Sequence, residues 1–345
     1  MRFIIKKRVA YIDILRAIAI ILVIIGHISY PGFTTAIYKK LIYSFHIPLF
    51  FFVSGLSMSF TKYKGLNLKE NLKKRFLRIY LPFLIWAILF TLPVISLESI
   101  PNVLYGTHET LFISSHSSLW YLPVLFISTV LMDLLLYWIK NKTKLKTYYF
   151  LIPILAIAIL CSVEPLGPIL NGLPLGINIV PMALFFILLG HSYQIEYNRK
   201  KPSILISLPI IIALCAVIYY FGINNNINYA SMAENRYGNI FYFLMTAISG
   251  IVVCLLLTFI IERYIKPLQK PMQIIGENTF IIFVLHKYPL ILINQLFILD
   301  PAIYFSNWLI VPVYLAAALL ICLPLSLYIR KNLPLLAGAQ EIKKT

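Results

Sequence analysis

Apolar residues in this chain come in runs of about 17 to 25, the length an α-helix needs to cross the hydrocarbon layer of a bilayer. The runs lie at 12–29, 41–60, 79–97, 119–139, 148–163, 179–195, 203–222, 240–261, 279–299 and 308–329. Short polar connections separate them, and a surface so continuously apolar is wetted by lipid rather than by water. The pattern therefore predicts an all-α integral membrane bundle of about ten transmembrane helices. No repeat, low-complexity linker or water-soluble domain interrupts it, so residues 1–345 read as a single transmembrane domain. The segment 67–78 has the spacing of an amphipathic helix lying on the inner surface.

Composition agrees with the pattern. Hydrophobic residues make up 60% of the chain, charged residues 12%, and the mean hydropathy is +0.86. Too little polar surface remains to cover a water-soluble domain. The net charge of +18 would suggest a nucleic-acid partner if the basic residues formed one folded face, but they are parcelled into short loops. Arg2 to Arg8, Lys62 to Arg78, Lys140 to Lys146, Arg199 to Lys201, Arg263 to Lys270 and Arg330 to Lys344 occupy alternate connections, against Lys39, Lys40 and Arg236 in the opposite loops. That asymmetry places both termini in the cytoplasm; the chain is expected to be a multi-pass protein of the plasma membrane with lipid as its first partner. Asp13 and Arg16 interrupt the first run and no small-residue cleavage site follows, so it reads as a retained helix, not a signal peptide. The four cysteines sit inside apolar stretches without metal-ligand or redox spacing and read as small hydrophobic residues.

Charge inside a membrane helix is the informative exception. An ionised Arg at the helix centre costs about 2.5–3.5 kcal/mol on insertion scales, so Arg16 needs a compensating role. His27 follows it by 11 residues. That spacing is close to three helical turns, which puts both side chains on one face about 16 Å apart along the axis, Arg16 toward the cytoplasm and His27 toward the outside. A cation with a base roughly 16 Å deeper suits an elongated anionic donor of the acyl-coenzyme A type, its phosphates near the cytoplasm and its reactive end inward. A plainer reading pairs Arg16 with Asp13, three residues back, and sends it to the interface.

His46 opens the run His46-Ile47-Pro48-Leu49-Phe50-Phe51-Phe52-Val53-Ser54-Gly55, on a helix that descends from the outer side to the depth of His27. An imidazole is suited to taking a proton from a hydroxyl at neutral pH, a contribution of about 10²- to 10⁴-fold. Pro48 loosens the backbone and Ser54-Gly55 permits close helix approach; a buried histidine bonded to a carbonyl is the competing reading. His191 ends a helix, where it meets terminal carbonyls, and His108 and His116 belong to an outer loop. No residue set has metal-ligand spacing and no glycine loop cradles phosphate, so no metal is expected.

Five motifs in order complete the pattern: Asp13-x-x-Arg16 leading to His27; His46 to Gly55; Lys74-Arg75-Phe76-Leu77-Arg78-Ile79-Tyr80-Leu81-Pro82; Leu119-Trp120-Tyr121-Leu122-Pro123; and Ile275-Gly276-Glu277-Asn278-Thr279 leading to His286. On these the chain resembles the membrane-bound acyltransferase family 3, which includes bacterial O-acetyltransferases of surface polysaccharides, and the resemblance covers most of the chain. It implies an acyl-CoA donor, acetyl-CoA first, and a sugar hydroxyl as acceptor, with Arg16 and His27 essential. The phosphates of the donor would meet Arg16, Lys74, Arg75 and Arg78, although basic residues at that face also attract anionic lipid. His286, Trp120 and Ser54 are the expected substrate-binding positions. One departure stands out: many relatives carry a Glu shortly after the Trp of the fourth motif, whereas Trp120 is followed by Tyr121, Leu122, Pro123 and Val124. What replaces it is open at this level.

The leading reading is direct transfer, with His27 as base and His46 as its helper; a covalent route through Ser54 or Ser29 is the other, though neither has an activating dyad in the sequence. A transporter or flippase for a polysaccharide or lipid precursor is the alternative, since intramembrane charge serves transporters too, and a noncatalytic member of a polysaccharide synthase complex is a third. A second copy of the chain or the polysaccharide-synthesis machinery would be the protein partners. The outer loops 99–118 and 223–239 show no readable acceptor code.

Overall fold

A computed structural model describes residues 9–28, 37–59, 67–91, 105–106, 117–142, 146–163, 166–170, 173–196, 202–299 and 307–338. In lipid every backbone N–H and C=O must find its partner within the segment, and the apolar runs answer that demand by forming helices. Among the described residues there is no β-strand beyond one isolated bridge, Ser231 to Arg236.

The chain opens with α1 (Ala10–Gly26), then α2 (Ile37–Tyr43) and α3 (His46–Ser59), which continue one another. Next come α4 (Leu68–Arg75), a π-helical turn (Phe76–Tyr80), α5 (Leu81–Thr91), α6 (Tyr121–Lys142), α7 (Leu151–Leu160) and α8 (Val180–Glu196). The last part holds α9 (Ile204–Asn224), α10 (Ile240–Tyr264), α11 (Lys266–Glu277), α12 (Thr279–Leu285), α13 (Lys287–Leu299) and α14 (Asn307–Asn332). The π-turn has a local cause. Pro82 lacks the N–H that would bond to the Arg78 carbonyl, and the backbone widens so that the Leu81 N–H reaches Phe76 instead.

Six helical segments among the described residues are long and apolar enough to cross a membrane: 37–59, 118–140, 174–195, 204–224, 240–264 and 310–332. The α12–α13 pair makes a seventh if its 41° bend is counted within one span. The remaining runs are helical but shorter. The first gives the 17 residues of α1, the fifth the apolar helix Thr147–Leu160, and the third gives α5, beyond which the chain leaves the described residues.

α3 and α8 form the centre, and α1 packs on α3, α10 and α11. The α3–α8 crossing depends on two glycines: a methyl at Gly55 would run into the Ile187 carbonyl, and one at Gly190 into the Phe52 carbonyl. Small residues let membrane helices approach to backbone contact, as expected for Gly55. Gly190→Ala should therefore destabilise the bundle by about 1–3 kcal/mol, the usual cost of overpacking; thermal unfolding of the purified protein in detergent checks it, and an unchanged midpoint would contradict it. α9, by contrast, lies at the edge, with Leu205, Ile206, Ile212 and Tyr220 exposed as lipid-facing residues should be.

Candidate functional site

His27 caps the C-terminal end of α1, with its backbone N–H bonded to the carbonyls of Val23 and Ile24. Its Nδ1 lies 2.8 Å from the Val23 carbonyl. A carbonyl can only accept, so the neutral ring carries its proton on Nδ1 and keeps a lone pair on Nε2. The same arrangement recurs twice. Nδ1 of His46, the first residue of α3, is 2.8 Å from the Ile42 carbonyl, and Nδ1 of His286, at the bend between α12 and α13, is 2.7 Å from the Phe283 carbonyl. Three imidazoles, those of His46 and His286 buried and that of His27 partly so, thus present Nε2 as the basic atom.

The Tyr43 ring stands between two of them, 6.1 Å from the His27 centroid and 4.8 Å from that of His46. His27 and His46 share a cavity of about 220 Å³. Tyr43, Trp120 and Tyr229 give it aromatic walls, and Ser118, Ser231, Glu234 and Lys287 give it polar ones. Sequence reasoning placed the two histidines at one depth and named Trp120, and the structure brings all three to this space. Its volume is below the roughly 300–1,000 Å³ of pockets for drug-sized ligands, which fits a ligand of one ring better than an extended one.

His286 is fully buried behind this wall, not on its surface, with its ring 4.9 Å from that of His27 at 74°. Its Nε2 has no hydrogen-bond partner among the described residues. A bent span, rather than a straight helix, puts it there and lets Lys287 face the cavity.

The outer wall is the connection between α9 and α10, which showed no readable code in the sequence. Its shape comes from side-chain bonds to backbone. Asn225 donates to the Tyr237 carbonyl and accepts from the Asn239 N–H, while Asn235, at φ 51°, donates to the Cys161 carbonyl. Lys40 of α2 donates to the Ile223 and Asn225 carbonyls at the end of α9. These ties hold Tyr229 beside Tyr43, ring centroids 4.9 Å apart, and fix Glu234, which accepts from Ser231 at 3.1 Å and pairs with Arg236 at 2.9 Å. Glu234 is the missed residue of the site; the only hint in sequence was a carboxylate in a loop rich in Asn.

Arg16 does not line this cavity. It pairs with Asp13 at 3.0 Å, as the plainer reading expected, and also donates to Ser57 of α3 at 2.8 Å, so it is tied into the bundle. Asp13 sits where α11 crosses α1, and Gly276 of the fifth motif is the point of contact with its carbonyl. Between Arg16 and the histidines lies an aromatic layer. The Tyr121 ring is 5.9 Å from Phe50 and 5.3 Å from Phe283, and Phe283 is 6.0 Å from His286. Ser54 donates to the Phe50 carbonyl at 2.9 Å and is not among the residues lining the cavity, so it belongs to this layer.

The basic segment is held in place by acids. Lys74 pairs with Glu70 at 2.6 Å on the α4 surface, and Arg78 lies on the π-turn. Arg75 reaches from α4 to Asp133 of α6, its Nε 3.0 Å from one carboxylate oxygen and its Nη2 3.4 Å from the other. Asp133 is fully buried, and His191, 2% exposed, feels its charge. His191 is thus an interior residue rather than one meeting terminal carbonyls. His108, His116 and Ser29 lie outside the described residues.

Among the described residues no group of His, Cys, Asp and Glu is gathered as a metal site. A family model described as an acyltransferase domain, the third of its name, matches residues 9–327. No curated protein and no solved structure matched the chain.

Proposed function

Because the chain belongs to the membrane-bound acyltransferase family 3, we propose that this membrane acyltransferase moves an acyl group, acetyl first, from cytoplasmic acyl-CoA to a hydroxyl of a cell-surface polysaccharide or its sugar precursor. The proposed topology has ten crossings with both termini in the cytoplasm, in the plasma membrane. What carries the reading is the pair His27 and His46 opening into one cavity with Nε2 of each held in the basic form.

In the proposed reaction the acceptor hydroxyl enters among Tyr43, Trp120 and Tyr229 and gives its proton to His27 Nε2. Its oxygen attacks the thioester carbonyl, the C–S bond breaks, and the departing coenzyme A thiolate takes the proton back from the same nitrogen. Buried surroundings exclude the water that would otherwise hydrolyse the thioester. The donor arrives from the basic-rich face. Arg16, Lys74 and Arg78 would meet its phosphates, and the aromatic layer of Phe50, Tyr121 and Phe283 must part to admit the acyl arm.

The test is purified protein in detergent with labelled acetyl-CoA and candidate glycans. Covalent transfer without any transmembrane gradient supports the enzyme, and its absence with every glycan and donor tried overturns it. Arg16→Ala should raise the KM for acetyl-CoA at least tenfold, and because it strands the buried Asp13 carboxylate it should also lower the thermal midpoint; an unaltered donor KM in the folded variant would remove Arg16 from donor binding.

A further inference from the structure

Where the basic residues do not cluster is as informative as where they do. Apart from Arg16 and those in the alternate basic-rich connections, the 30 Lys and Arg leave four: Lys39, Lys40, Arg236 and Lys287. The charge asymmetry that orients membrane proteins works against cations at this face, so those present call for a reason. The structure brings three of them to the His27 and His46 cavity or to its aromatic walls. Lys287 lines it. The Lys39 Nζ lies 5.5 Å from the Tyr43 centroid and 5.7 Å from that of Tyr229, two of its aromatic walls, and the Arg236 guanidinium is 5.5 Å from Tyr229. Lys40 has a structural task, closing the end of α9.

Against these cations the described wall sets one carboxylate, Glu234, which pairs with Arg236. Glu98, Glu109, Glu164 and Asp300 lie outside the described residues. A cleft with mostly one sign of charge and low-dielectric walls concentrates the field on its ligand. We propose that the acceptor is an anionic glycan, one whose reacting hydroxyl belongs to a sugar bearing a carboxylate or a phosphodiester. The ring lies against the aromatic walls, the negative group is held by Lys287 and Lys39, and the hydroxyl faces His27 and His46. Glu234 then sets specificity by repelling the anionic group from its own side of the cavity and accepting a second hydroxyl.

This inference rests on the acyl-transfer reading, and binding separates the two. Full-length protein in a neutral detergent is titrated with size-matched oligosaccharides, one neutral, one uronate-bearing and one phosphodiester-linked, following the fluorescence of cavity-lining Trp120 and calorimetric heat. At least one anionic ligand should bind tenfold more tightly than the neutral one, and which of them does so identifies the source of the charge. Its affinity should fall severalfold between about 50 and about 500 mM salt, and Lys39→Gln should weaken it about tenfold at unchanged thermal midpoint. Equal binding of neutral and anionic ligands, binding insensitive to salt, or no binding of any of them would overturn the inference. Label transfer is measured on the same ligands. Charge-selective binding without transfer counts against the acyl-transfer reading alone, and transfer to neutral and charged acceptors alike counts against this inference alone.

Discussion

His27→Ala is expected to lower the rate of acyl transfer by about 10²- to 10⁴-fold, the usual contribution of a general base. The loss should fall on kcat. His27 lies in the cavity, while the residues proposed to hold the donor phosphates lie beyond the aromatic layer, so the KM for acyl-CoA should change little. His46→Ala supplies the contrast. Its ring lines the same space with Nδ1 likewise bonded to a carbonyl, but it packs closer to Tyr43, at 4.8 Å against 6.1 Å for His27, so its loss should cost less. Single-turnover rates with labelled acetyl-CoA decide between them. If His46→Ala were the crippled variant and His27→Ala were nearly normal, the base would have to be reassigned to His46.

Asp133→Ala is expected to destabilise the protein by about 3–5 kcal/mol, because it strands the Arg75 guanidinium beside apolar helices. The carboxylate is wholly buried and receives two N–H groups from Arg75, so nothing nearby can replace it without rearrangement. Arg75→Met combined with Asp133→Leu should recover much of that loss, since replacing a buried pair by apolar residues is often neutral or better. Thermal midpoints in detergent measure both effects, and an Asp133→Ala protein as stable as the parent would contradict the first. The double variant also decides what Arg75 is for. If its donor KM is normal, Arg75 is a strut joining α4 to α6; if that KM rises, the strut also meets the donor's phosphates.

The helices were legible because lipid leaves the backbone no other choice, and every apolar run is mainly helical where it is described. The number of full crossings was not legible in the same way. A run of apolar residues does not announce a bend, and 279–299 is broken at His286 and Lys287 although its composition is nearly continuous. The Asp13 and Arg16 pair was readable from its spacing, and His27 with His46 from their common depth. Asp133 was passed over although a lone Asp in the run 119–139 was itself a signal, since an acid in a membrane helix needs a partner. Glu234 had no such flag. Its position depends on Asn225 and Asn235 bonding to carbonyls and amides distant in the chain, and such contacts leave no period in the sequence.

Each imidazole has one nitrogen committed to a main-chain oxygen one turn back. None of the rings can therefore pass a proton from one edge to the other, as a shuttle in a hydrogen-bonded wire does. In the proposed reaction a single atom must collect the proton and surrender it, so the nucleophile and the leaving sulfur have to visit the same point in turn. The order of visits, rather than a chain of donors, would then set the timing of turnover.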